Sequence, residues 1–67
     1  MDVRRRVGLN VKRLREAQGI SQEDLADRAG VHRTYVSGVE RGVRNPTITV
    51  LEKIAGALAA PLAELVG

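Results

Sequence analysis

Apolar positions along the chain recur every three or four residues and never alternate, so the pattern predicts helices and no strands. Val3, Val7, Val11 and Leu14 make one apolar stripe of a first helix over 2–18, with Arg5, Lys12 and Arg13 opposite. Leu9 also falls on the polar side, and one exposed leucine is ordinary. Gly19 marks the end of that helix. A second helix opens at Ser21, where the run S-Q-E-D sets Asp24 in the place of a capping-box partner. Its inward residues are Leu25, Ala26 and Ala29, and Gly30 ends it with access to a left-handed turn. A third helix over 32–41 has Tyr35, Val36 and Val39 on one face and Arg33, Thr34, Ser37, Gly38 and Arg41 on the other. Gly42 closes it, and V-R-N-P reads as a loop because Pro46 biases Asn45 away from helix. The fourth helix starts after Thr47 as N-cap and carries Ile48, Leu51, Ile54, Ala55 and Leu58 as its stripe. Pro61 begins a last short turn in which Leu62, Leu65 and Val66 are apolar.

The inward faces predict a core of Val7, Val11, Leu14, Leu25, Ala26, Val36, Val39, Leu51, Ile54 and Leu58. The expected fold class is all-α, a compact five-helix arrangement, with residues 1–67 as one domain. A domain of this size buries only about 60% of the surface of its unfolded chain, which leaves little room for a deep cleft. The absence of cysteine excludes a disulfide framework and a thiolate metal site, and fits a reducing compartment. No apolar run follows the N-terminal arginines, as a signal peptide requires. No stretch approaches the roughly 18 apolar residues of a membrane span. The expected location is the cytoplasm, with no membrane partner.

Charge adds a pattern that the net value of +3 conceals. Residues 1–15 hold six cations and one anion, and residues 32–45 hold three cations and one anion. Between them, residues 16–31 hold four anions and one cation. If the fold joins the two basic segments, they form one positive face.

The informative unit is about 21–42, two short helices joined by a glycine-containing turn, the geometry of a helix-turn-helix. The second helix has an apolar face to anchor it and a small polar face pointing out. That is what an α-helix needs in order to enter the major groove of DNA. The run I-S-Q-E-D-L-A-D-R-A-G-V-H-R-T-Y-V-S-G-V-E-R-G-V-R-N-P-T resembles the phage Cro/cI-type (XRE) helix-turn-helix regulators. V-G-L-N-V-K-R-L-R is similar to the first helix of that family, and T-V-L-E-K-I-A-G-A-L to its fourth.

The resemblance implies a lambda-repressor-like domain that binds a double-stranded, palindromic operator as a homodimer and regulates transcription, as a repressor. It assigns Gln22 to a DNA phosphate, with His32 as a cap or phosphate contact. Arg41, Arg44 and Asn45 are assigned to the phosphate backbone, and Arg44 has the minor groove as an alternative. Arg33, Thr34, Ser37 and Gly38 hold the base-contacting positions. For Arg33 a guanine edge and a phosphate both remain open. Arg15 and Glu40 match a structural ion pair that joins the first helix to the third. The dimer patch is expected at Leu62, Leu65 and Val66. The chain departs from the family pattern at four positions. His32 is a weaker cap, Gly38 stands where a long polar residue is common, Ala59 replaces a glycine where a left-handed residue is required, and Pro61 replaces a capping serine.

Three other readings compete. An enzyme would need catalytic partners, but His32 is the only histidine and no carboxylate pair has a catalytic spacing, so no activity is expected. No cofactor, metal or small-molecule ligand is expected, nor an effector domain within this chain. A protein-interaction or antitoxin-type accessory domain would show aromatic or large apolar anchors on the third helix, where Arg33, Thr34, Ser37 and Gly38 stand. A basic membrane-surface helix over 3–15 would need its valines for lipid, whereas the core uses them.

Overall fold

A computed structural model describes residues 2–67, and among them it contains five helices and no strand. The helices are α1 (Val3–Ala17), α2 (Gln22–Ala29), α3 (Arg33–Glu40), α4 (Ile48–Ala57) and α5 (Leu62–Val66). α1 packs on α3 and α5, while α2 packs on α3 and α4, so α3 lies between the first two helices.

The helix starts follow side-chain chemistry. Asp2 caps α1 by accepting from the Arg4 N–H at 2.7 Å, and the Arg4 side chain holds its carboxyl below the ordinary aspartate range. Ser21 and Asp24 form the full reciprocal capping box of α2. Thr47 caps α4 by accepting from the Val50 N–H at 3.2 Å. Two polar side chains then tie off helix ends. The Gln18 amide donates to the Leu58 carbonyl at 2.6 Å, and the Asn10 amide donates to the Leu65 carbonyl at 2.9 Å. Each satisfies a carbonyl that a helix end leaves without a partner. Ala59 takes the left-handed conformation (φ +52°) after α4, a position that glycine occupies at lower cost.

The core contains Val7, Val11, Leu25, Ala26, Val36, Val39, Leu51, Ile54 and Leu58, as the periodicity predicts, together with Ala29, Ala55 and Leu65. Four positions differ from expectation. Leu14 is only half-buried and packs against the core from its edge. Val3 and Ile48 occupy the first turns of their helices, outside the packed layer, and are exposed at 53% and 67%. Leu65 is fully buried, because α5 lays that residue against α1 and α4. It therefore belongs to the core and is not available to the surface patch expected at Leu62, Leu65 and Val66. Leu62 is half-buried and Val66 is 39% exposed.

Gly8 is buried at the crossing of α1 and α3. A β-carbon there would collide with the Val39 carbonyl and stand 2.7 Å from the Glu40 carbonyl. The two backbones approach this closely only because position 8 has no side chain.

Candidate nucleic-acid interface

The turn between α2 and α3 occupies residues 30–32. Gly30 is left-handed (φ +71°), and the Val31 N–H donates back to the Ala26 carbonyl at 3.0 Å. His32 is extended, and its carbonyl accepts from Tyr35 and Val36 while its side chain makes no capping bond. α3 is anchored by Val36 and Val39, both essentially inaccessible. Arg33, Thr34 and Arg41 are exposed and Ser37 is half-exposed, so these four side chains share the outer surface of the helix. Gly38, expected among them, is buried instead. The Arg44 side chain lies over it, which leaves the glycine no surface of its own.

Beneath that surface Arg15 and Glu40 form a two-pronged pair, Nε to Oε2 at 2.7 Å and Nη2 to Oε1 at 3.0 Å. The arginine side chain is 12% exposed and the glutamate 3%. The Glu40 hydrogen bond raises the Arg15 guanidinium further above its ordinary value, so the cation is fixed. Arg15 also donates from Nη1 to the Ile20 carbonyl at 2.8 Å. Gln22 donates from its amide to Glu40 Oε1 at 3.0 Å. One carboxylate thus gathers α1, α2 and α3 at a single point, and Gln22, assigned by resemblance to a phosphate, has one amide N–H committed inward. Its second N–H remains free by chemistry.

An open polar cleft is lined by Arg15, Ser21, Gln22, Glu23 and Arg33 at the start of α2. At its mouth Arg33 Nη1 stands 3.6 Å from Glu23 Oε2, both side chains well exposed. No spacing rule in the sequence pairs these two residues, and the pairing appears only when the turn sets the start of α3 beside α2.

The loop after α3 turns at Gly42 (φ +76°), and a β-carbon on Gly42 would stand 3.1 Å from the Arg5 Cα. The two basic segments of the chain therefore meet at this loop. Arg41 bonds back to the Ser37 carbonyl through Nε at 3.3 Å. The Arg44 guanidinium stands 5.5 Å from the centre of the Tyr35 ring. Asn45 is exposed and borders a second, mainly apolar cleft with Val3, Arg4, Val7, Pro46, Leu51 and Val66. The helical pattern marks Tyr35 only as an inward residue, and its place beside the Arg44 guanidinium depends on the path of the loop.

Among the described residues no helix is long and apolar enough to cross a membrane, and no three acidic or histidine side chains group as metal ligands.

A family model described as helix-turn-helix matches residues 11–65. An uncharacterised HTH-type transcriptional regulator, y4dJ of Sinorhizobium fredii, is 46% identical over 66 residues, 98% of this chain and 86% of that protein. The immunity repressor of Bacillus phage phi105 is 36% identical over 91% of this chain and 42% of its own length. The crystal structure of the restriction-modification controller protein C.AhdI from Aeromonas hydrophila superposes with a TM-score of 0.91 at 44% identity, covering 92% of this chain and 94% of that one.

Proposed function

The chain belongs to the helix-turn-helix family of transcriptional regulators, and from that premise we propose that it binds a palindromic double-stranded operator as a homodimer and acts as a repressor. The observation that carries the reading is the surface of α3. Arg33, Thr34, Ser37 and Arg41 stand outward on a helix whose other face is locked into the core. Such a helix fits the major groove, about 12 Å wide, with its N-terminal residues at the base edges. In this reading Arg33, Thr34 and Ser37 meet bases, while Gln22, His32, Arg41, Arg44 and Asn45 meet phosphates. The basic loop, with Arg5 behind it, supplies sequence-independent affinity. With bacterial and phage relatives and DNA as its partner, the protein is proposed to work in the cytoplasm.

A second copy is needed because one recognition helix reads only a few base pairs. The surface that fits it is the mainly apolar cleft of Val3, Val7, Pro46, Leu51 and Val66, edged by Arg4 and Asn45, with the exposed Ile48 near it in sequence. It keeps Val66 from the patch expected at Leu62, Leu65 and Val66 and leaves out Leu65, which is buried. A partner-protein reading of α3 has nothing to favour it, since the outer surface offers no large apolar anchor.

Selection of bound duplexes from a random library tests the proposal. The expected outcome is a symmetric site with half-sites about one DNA turn, roughly 34–36 Å, apart. The sedimentation mass of the complex should then correspond to two protomers. Enrichment of no sequence contradicts specific recognition, and an asymmetric site holding one protomer contradicts the dimer.

A further inference from the structure

Position 38 lies in the outward row of α3, one turn after Thr34 and one turn before Arg41. Glycine leaves that place in the row empty. The loop fills it: a β-carbon on Gly38 would stand 2.5 Å from Arg44 Cγ and 3.5 Å from Cδ, so the stem of Arg44 occupies the slot. Two further observations fix it there. The Val43 and Arg44 N–H groups both donate to the Gly38 carbonyl, at 3.0 and 3.2 Å. The guanidinium lies over the Tyr35 ring, one turn back along the same helix.

We propose that Arg44 serves as the reading side chain of position 38, a base-contacting residue lent to α3 by the loop, with Gly38 and Tyr35 as its positioning residues. This rests on the DNA-binding reading above and changes the role of Arg44 within it. An arginine on a free loop contributes charge and meets a phosphate. One whose stem packs on the recognition helix and whose cation lies 5.5 Å from an aromatic ring centre starts from a narrower set of conformations before binding. Its forked donors then meet a fixed place on the DNA, which is the condition for discriminating one base pair.

The structure also explains why a glycine stands inside a helix, where alanine is the better helix former. Gly38→Ala gives α3 a residue of higher propensity, and what it displaces is a side chain. The variant therefore separates fold from reading. The expected result is a melting temperature equal to or above that of the parent. Affinity for the selected operator should fall by roughly ten-fold, with a clearly smaller loss on random DNA. Arg44→Lys, which keeps the charge and loses the fork, is expected to relax preference at the same base pair in a repeated selection. In an Arg44→Ala background, Gly38→Ala is expected to have no further effect on the operator.

Equal losses on operator and random DNA for both single variants would overturn the proposal, since Arg44 would then be a phosphate contact. So would a Gly38→Ala protein that binds the operator as the parent does. If Gly38→Ala unfolds the domain, Arg44→Lys decides alone, and an unchanged selected site overturns the proposal. A parent protein that selects no sequence would overturn the DNA-binding reading itself, an outcome distinct from all of these.

Discussion

Two arginine–glutamate pairs hold α3 to its neighbours, and they have little in common beyond their chemistry. Arg15 and Glu40 meet at 2.7 and 3.0 Å, nearly enclosed, with Gln22 and the Ile20 carbonyl completing their hydrogen bonds. Arg33 and Glu23 meet at 3.6 Å with most of both side chains in water. Burial decides what each can do. The inner pair is nearly enclosed, spends its best-aligned donors and acceptors inside the fold, and sets where α3 sits. The outer pair contributes almost nothing to stability, because solvent screens it and both side chains lose freedom in forming it. It leaves its arginine free to exchange a carboxylate for DNA. One helix therefore carries a structural face and a working face, and the pairs mark which is which.

The largest expected effect comes from breaking the inner pair. Glu40→Ala leaves Arg15 and Gln22 without their acceptor in a nearly closed site, and should cost about 3 kcal/mol. Chemical denaturation of Glu40→Ala, Arg15→Ala and the double variant checks it. The double variant should lose clearly less than the sum of the singles, and additive losses would mean the pair is not coupled.

Gly8→Ala should follow, at about 1–3 kcal/mol. The new methyl group meets the backbone carbonyls of Val39 and Glu40, which cannot swing aside, so α1 and α3 must separate. A melting temperature unchanged in this variant would show that the crossing is looser than described. Gly38 makes the contrast sharp, since there the obstacle is a side chain.

Much of this was legible in the sequence. The capping box at Ser21, the cap at Thr47 and the inward stripes of α2 and α3 follow from local rules, which act within a few residues, while the left-handed residue at Ala59 follows from the family resemblance. The inaccuracies lie where a distant element decides. α5 is a short segment whose apolar residues could face core or solvent, and only its packing on α1 and α4 buries Leu65. Ile48 and Val3 have the right periodicity but sit one turn beyond the reach of the core. Gly38 has the right helical phase for an outward residue, and the sequence gives no sign that the chain six residues later folds back over it. The Glu23–Arg33 and Arg44–Tyr35 contacts are likewise set by a turn and a loop, whose paths no periodicity encodes.

On the working face the expected effects are smaller and show on DNA. Arg41→Ala should weaken all sequences alike and lower the salt slope of binding by about one unit per protomer, since one fewer counterion is released. Titrations at several salt concentrations measure it, and an unchanged slope would remove Arg41 from the phosphate contacts. Smallest is Glu23→Gln, which should change stability by less than about 0.5 kcal/mol. It should raise affinity for random DNA slightly, because an exposed carboxylate that repels phosphate is gone. A clear loss of stability would show that the outer pair behaves like the inner one.

The division of α3 into two faces is tested most directly by Arg33→Ala, measured for affinity on the selected operator and on random DNA of the same length. The account predicts a loss of about 1–3 kcal/mol on the operator, relaxed preference at one base pair, little change on random DNA and an unaltered melting temperature. Affinity unchanged on both DNAs would contradict it, because the outward face of α3 would then not be the face that meets DNA.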